Sequence, residues 1–256
     1  MNFKDKNIIL TGASSGIGNE ILKKLSVYDA NVIAVGRNVE KIKNFGDYVI
    51  PYSCDVSNKE EMDKLFEYAI TTLGHVDIFI ANAGFAYCEE MLEPDWGHIE
   101  AIFKTNVISP IYAFEKMKKL NMGKEYHVAI TCSAVSKVPL PGYSLYCSTK
   151  SAVDGFGRVH NYEIRDKGRL SLIYPIATST NFFKRAGDKA PVPWPVQAPD
   201  KVAESIIKGI EKNKKSIYPS KAYAVTLGLN RILPFLYPIY ARIQAKKFIK
   251  WIETKS

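Results

Sequence analysis

NIILTGASSGIG, residues 7–18, is the stretch on which the architecture turns. Asn7, Ile8, Ile9 and Leu10 make a short, mostly apolar run that reads as a strand. A glycine-rich turn follows, and then Ile21, Leu22 and Leu25 recur at helical spacing, with the helix running to Tyr28. Strand, glycine turn and helix in succession direct backbone N–H groups and a helix N-terminus at an anion such as a pyrophosphate. Gly12, Gly16 and Gly18 stand at G-x-x-x-G-x-G spacing. That spacing meets the same demands as G-x-G-x-x-G: a tight turn, close backbone approach, and close packing of helix on strand.

A second apolar run at 31–35 ends in Gly36-Arg37-Asn38. This lies about twenty residues past the glycines, where an NAD-preferring site carries an acid that reads the ribose. Arg37 stands there instead. A guanidinium suits a 2′-phosphate by its charge and its fork of donors, so NADP(H) is the expected cofactor in preference to NAD(H), with a plain exposed loop charge as the alternative reading of Arg37. Further runs at 48–52 and 76–81, separated by a helical pattern over 59–72, continue the alternation of strand and helix. The pattern predicts an α/β fold: a doubly wound, Rossmann-type parallel sheet of about seven strands, with a ligand along the carboxyl ends. At those ends stand Cys54-Asp55-Val56 and Asn82-Ala83-Gly84. Asp55 reads as an acceptor for an adenine amino group, and Asn82 and Gly84 as a wall for the adenosine ribose; simple capping roles are the alternative.

SAVSKVPLPGYSLYCSTK, residues 133–150, carries the chemistry. On a helix from residue 146 onward, the Tyr146 phenol and the Lys150 ammonium share a face one turn apart. A fixed positive charge nearby favours the phenolate over the ordinary phenol value of about 10. Ser133, at the end of a strand over 128–131, supplies a second hydroxyl able to converge on the same carbonyl oxygen. Asn106, in a helical stretch, reads either as a link from Lys150 to solvent or as an interior amide satisfied by neighbouring backbone.

Together, TGASSGIG (11–18), CDV (54–56), NAG (82–84), TNV (105–107), CSA (132–134) and YCSTK (146–150) resemble the short-chain dehydrogenase/reductase family. The matching branch has T-G-x-x-x-G-x-G and Y-x-x-x-K motifs, and the likeness runs over about residues 8–180, more loosely to 218. It implies that Tyr146 is the acid–base, that Lys150 lowers its pKa and holds the nicotinamide ribose, that Ser133 hydrogen-bonds the substrate oxygen, and that Asn106 holds a proton-relay water. The cofactor-binding set it implies is Thr11, Gly12, Ser14, Ser15, Gly16, Ile17 and Gly18 in the turn, then Arg37, Asp55, Val56, Asn82, Ala83 and Gly84, with Tyr146, Lys150, Pro175, Thr178 and Thr180. Two departures stand out: Ala81 precedes Asn82 where the family often has Asn, and Ile176 replaces a glycine beside the nicotinamide. Thr180 keeps the position that contacts the carboxamide. A non-catalytic NADP(H)-binding scaffold or sensor is the competing class, and the complete Ser133, Tyr146 and Lys150 set opposes it.

Past Thr180, Asn181-Phe182-Phe183-Lys184 and Pro191-Val192-Pro193-Trp194-Pro195 are too irregular for the sheet. They read as a lid over about residues 180–200, whose Phe182, Phe183 and Trp194 either line an apolar substrate pocket or anchor the loop. The expected substrate is a hydrophobic carbonyl or secondary alcohol, such as a lipid, steroid or long-chain ketone. A helix over 202–210 and a strand over 216–218 complete a nucleotide-binding and catalytic domain over 1–220. An extension over 221–256 follows, interrupted by Pro234 and Pro238, with a helix from Ile239 on which Arg242, Lys246 and Lys250 form a basic stripe beside Ile243, Phe248, Ile249, Trp251 and Ile252. Such a segment, here 222–256, lies on an anionic membrane surface, covers the subunit's own active site, or packs on a partner subunit.

The charge balance isolates this extension. Of the 256 residues, 1–200 carry 23 basic and 23 acidic side chains, whereas 201–256 carry 12 basic and 3 acidic, so the net charge of +9 is all C-terminal. The large apolar residues of the tail argue against nucleic acid as a partner. The first residues show no secretory pattern, and no apolar run reaches the ~18 residues of a membrane span. The expectation is a cytoplasmic protein, peripherally bound to a membrane if the tail docks there, assembling as a homodimer or homotetramer. Cys54, Cys88, Cys132 and Cys147 lie far apart, and no His pair has ligand spacing, so no metal is expected and buried thiols are. Cys147 would be reactive if the Lys150 charge reached it.

Overall fold

Period-two alternation divides each strand between two cores. In β1 (Asn7–Thr11), Ile8 and Leu10 point to one face of the sheet and Ile9 to the other; in β2 (Asn31–Gly36), Val32 and Ala34 oppose Ile33 and Val35. The computed structural model describes residues 3–42 and 45–254. With β3 (Val49–Ser53), β4 (Ile78–Ala81), β5 (Tyr126–Thr131), β6 (Gly168–Ile173) and β7 (Ser216–Ile217), these strands form one parallel sheet in the order β3-β2-β1-β4-β5-β6-β7. Both faces are covered, as a parallel sheet of near-continuous apolar strands requires. Helices α1 (Gly16–Leu25) and α7 (Pro199–Glu211) cover one face through Ile21, Leu22, Leu25, Val202, Ile206 and Ile210. Helices α2 (Lys59–Leu73), α4 (Ser109–Leu120) and α5 (Ser144–Glu163) supply Phe66, Phe114, Met117 and Val153 to the other, with Phe66 stacked on Phe79 at 5.5 Å.

The sheet grows outward from β1 in both directions, to β2 and β3 on one side and through β4 to β7 on the other. Connections leaving the carboxyl ends of β1 and β4 therefore diverge and open a crevice between them. Helix α1 ends at Leu25, short of Tyr28, because Asp29 at φ 52° turns the chain back toward β2. Helix α2 is capped by the Asn58 side chain, which accepts from the Glu61 N–H at 3.0 Å, and it ends at Gly74 with φ 77°. Between α3 (Trp96–Phe103) and α4 runs a π-helical turn, Lys104–Ile108, that carries the buried Asn106.

After β7 the extension is two helices, α8 (Lys221–Ile232) and α9 (Leu236–Glu253), where the sequence suggested only the second, from Ile239. Pro234 does interrupt: Leu233 before it stands at φ −120° and ψ 72°, outside the helical region that a following proline disfavours. Pro238 does not, since it occupies the first turn of α9, where a missing N–H removes no helical bond. Helix α9 packs on its own subunit. Trp251 is buried, its Nε1 donates to the Asp188 carbonyl at 2.9 Å, and Tyr240, Phe248 and Ile252 pack with it against Leu140, Tyr143 and Ala186. Self-packing is thus one role of the extension. Phe248, Trp251 and Ile252 turn inward, while Ile243 and Ile249, read from the sequence as part of the same side, remain exposed.

Candidate active site

The glycine turn between β1 and α1 is a cradle packed too closely on itself and on the end of β4 to admit side chains at its glycines. Gly12 stands at φ +69°, and a Cβ on Gly18 would lie 2.0 Å from the Gly12 carbonyl oxygen. The turn is fastened to the end of β4. The Thr11 hydroxyl accepts from the N–H groups of Asn82 and Ala83, both at 3.1 Å, and Asn82 Nδ2 donates to the carbonyls of Thr11 and Gly12 at 3.3 and 3.4 Å. Asn82 therefore braces the cradle as well as lining the cavity, a role that its neighbours in sequence do not reveal. Asp55 also lines the cavity, but one carboxylate oxygen already accepts from the N–H and hydroxyl of Ser57 at 3.0 and 2.8 Å. This is a local turn ahead of α2, whose cap is Asn58. Ser14, Ser15, Gly16, Ile17 and Val56 line the same wall, and Arg37 stands exposed at its rim beyond β2.

Strand β5 and helix α5 bring the three expected catalytic side chains together. Ser133 is buried just past β5 and hydrogen-bonds the Tyr146 phenol; its Oγ also accepts from the Val135 N–H at 3.3 Å. Lys150 is buried, with Nζ 5.7 Å from the Tyr146 ring centroid and donating to the Thr131 carbonyl at 2.8 Å. The sequence reading expected the ammonium to depress the phenol pKa. In the structure burial wins: it holds the Tyr146 phenol well above its ordinary value, the Ser133 hydrogen bond opposing, and it lowers Lys150 from 10.5 to about 8. The ammonium faces the ring and a backbone carbonyl, so its field is not spent chiefly on the hydroxyl. Cys147 is not activated either. Burial pushes its thiol up, and its Sγ accepts from the Leu140 N–H at 3.3 Å; all four cysteines are buried and none forms a disulfide.

Asn106 uses its whole amide on its neighbours. Oδ1 accepts from the Phe85 N–H at 3.1 Å, and Nδ2 donates to the Phe85 carbonyl and the Thr149 hydroxyl at 2.8 and 3.2 Å. The side chain thus ties the 82–85 segment to the catalytic helix, with Gly84 pressed between Asn106 and Lys150.

These groups share one cavity of about 1040 Å³. Pro175, Ile176, Thr178 and Thr180 line it from the segment after β6. The side chain of Ile176, where the family pattern has glycine, forms part of the wall, and the Thr180 methyl closes on Gly16. The lid segment is a short helix, α6 (Phe182–Ala186), followed by loop. Phe182 packs on Tyr146 at 5.4 Å between centroids, Phe183 on Tyr143 at 6.1 Å, and Trp194 lines the cavity while remaining 76% exposed. The structure adds Leu140, Tyr143, Tyr87, Asn230, Tyr237 and Tyr240 to this wall. One signal for the last two was present: Tyr237, Tyr240, Gln244, Phe248 and Trp251 recur at intervals of three and four, which is one face of a helix.

A family model described as short chain dehydrogenase matches residues 6–191. The chain is 28% identical over 256 residues to estradiol 17-beta-dehydrogenase 11 of Rattus norvegicus, covering 93% of this chain and 84% of the relative. It is 28% identical over 239 residues to 17-beta-hydroxysteroid dehydrogenase 13 of Homo sapiens, covering 89% and 79%. A short chain dehydrogenase/reductase from Burkholderia phymatum in complex with NAD superposes with a TM-score of 0.81 at 19% identity, over 92% of this chain and 96% of that one. A short chain dehydrogenase from Burkholderia cenocepacia in complex with NADP gives 0.80 at 20%, over 94% and 99%. At these identities the two structures speak for the fold, and both cofactors occur on it.

Proposed function

The chain belongs to the short-chain dehydrogenase family, and from that premise we propose that it is an NADP(H)-dependent oxidoreductase interconverting a hydrophobic carbonyl and its secondary alcohol. The observation that carries this reading is the convergence of Ser133, Tyr146 and Lys150 on one wall of a cavity whose other end is the glycine cradle. The cradle fits a dinucleotide: its glycines let the turn pack closely on the end of β4 and let α1 close on β1, and the N-terminus of α1 faces the cavity. A nicotinamide cofactor bound there supplies or accepts the hydride. Arg37 at the rim supports NADP(H), by the match of a guanidinium to a 2′-phosphate.

The chain's own residues supply position and the proton. Backbone N–H groups of the turn and Thr180 orient the cofactor, while Lys150 holds the ribose and stabilises negative charge on the phenol. Tyr146, kept protonated by burial, gives its proton to the substrate oxygen during reduction and takes it back during oxidation. The Ser133 hydroxyl donates to the same oxygen. Asn106 keeps Gly84 beside Lys150. The rings of Phe182, Phe183, Tyr143 and Trp194 support an apolar substrate of the lipid, steroid or long-chain ketone kind, and the names of the two relatives point the same way. Val159 and Tyr162, exposed on α5, support assembly as a homodimer or homotetramer, which light scattering tests.

Tyr146→Phe is the direct test of the chemistry. Turnover of a carbonyl and alcohol panel should fall by about 100-fold or more, the scale of a lost general acid, while NADPH binding by fluorescence stays intact. Turnover that survives the change would place the proton source elsewhere.

A further inference from the structure

Helix α8 has a side that folding does not use. Among its described side chains none is buried, and Tyr223, Leu227 and Asn230 make the partly buried face. Opposite them, Val225, Leu229 and Ile232 stand at i, i+4 and i+7, exposed by 63%, 46% and 77%. The stripe continues through Phe235 in the link to Ile239 and Ile243 on the outer side of α9, all at least half exposed. Large apolar side chains gathered like this on a surface mark a contact with something else.

Charge selects the occupant. Residues 221–256 hold seven Lys/Arg against one acid, Glu253, while the rest of the chain is close to neutral. Arg242, Lys246 and Lys250 are exposed at four-residue steps beside Ile243 and Ile249. A second copy of the chain would bring the same positive excess against itself. Nucleic acid would leave the apolar stripe in water. A layer of anionic headgroups over hydrocarbon satisfies both features at once. No helix among the described residues is long and apolar enough to cross a membrane, so the contact lies on the surface.

The cavity opens beside this stripe. Ala222, Thr226, Asn230, Leu236 and Tyr240, from the inner sides of α8 and α9, line it, and so does Trp194 of the lid. The lid in turn exposes Val192 and Val196 on either side of Trp194, and an exposed Trp suits the level of the headgroups. We infer that the outer face of α8 and α9, with the Trp194 tip of the lid, docks on an anionic lipid surface, so that apolar molecules dissolved in the lipid enter the cavity without crossing water. The entry route rests on the oxidoreductase reading; the docking does not.

Flotation of the full chain with vesicles tests it, using phosphatidylcholine alone and phosphatidylcholine mixed with phosphatidylglycerol, in the absence of cofactor and substrate. The protein should float with the mixed vesicles and lose that binding as salt is raised toward about 0.5 M. The variant Ile232→Glu/Phe235→Glu/Ile243→Glu, none of whose positions lines the cavity, should bind them about tenfold less or weaker still. Its thermal midpoint and its turnover of a small water-soluble carbonyl should stay unchanged. Arg242→Glu/Lys246→Glu should lose the preference for anionic lipid. The inference is overturned if the chain stays at the bottom with both vesicle types, if the triple variant floats as well as the parent, or if that variant changes the oligomeric state in light scattering while vesicle binding is untouched. Protein that floats yet never turns over any substrate counts against the catalytic reading alone.

Discussion

Lys150 gives the residue scale its sharpest test. Its pKa is lowered from 10.5 to about 8 by burial, so between those values the unfolded chain holds a proton that the native protein has released. Stability attributable to this group therefore rises with pH across that window, and below about 8 the buried charge costs on the order of 3 kcal/mol. Lys150→Met removes that cost but leaves the Thr131 carbonyl without its donor, a loss of about 1 kcal/mol. The charge wins. At pH 7 the cofactor-free variant should unfold at or above the wild-type midpoint, and the difference should shrink from pH 8 to 10.5 in parallel denaturant titrations. Turnover, which needs the ammonium, should be lost at every pH. The same titration bounds the reaction's pH profile: turnover in either direction should hold steady up to about pH 8 and decline above it as the ammonium is lost. Arg37 is read through cofactor choice. Arg37→Glu should raise KM for NADPH by roughly 10- to 100-fold, the worth of one charge-assisted contact, and spare or improve use of NADH. Unchanged discrimination between the two cofactors would remove Arg37 from the site.

At the scale of elements, α9 is the test. Trp251 is buried against the lid, its indole N–H bound to Asp188, and Gly142, just ahead of α5, leaves room for Phe248: a Cβ there would meet the ring at 2.4 Å. Trp251→Ala opens a hole of aromatic size, costing about 3 kcal/mol or more at the contact. Because α9 closes the cavity but contributes nothing to the sheet, the loss should appear as faster amide exchange over 236–253 and a higher KM for bulky substrates, with NADPH affinity preserved. A global fall in protection across the sheet would show that α9 is integral to folding. This element was also the one read least well from sequence. Proline counts as a helix breaker, yet Pro238 falls in the one turn that tolerates it. The basic stripe drew attention to the outer face, whereas the aromatic spacing that faces inward, from Tyr237 to Trp251, was the signal of self-packing.

Across the whole molecule, legibility followed the range of the interactions. Short apolar strands, the glycine turn and the Tyr146–Lys150 pair depend on near neighbours, and the sequence carried all three. The bracing of Thr11 by Asn82 joins groups 71 residues apart, and the clasp of Trp251 on Asp188 spans 63. Neither residue type nor spacing encodes such a partner. The pKa of Tyr146 failed for a related reason: an i, i+4 pair reports that a charge is near, but the competing cost of burial depends on walls contributed by Phe182 and the rest of the lid. The Trp251 clasp has a further consequence during synthesis. The glycine turn and the catalytic helix precede in the chain the helix that roofs them, so during synthesis the cavity wall exists before Trp251 can close on Asp188.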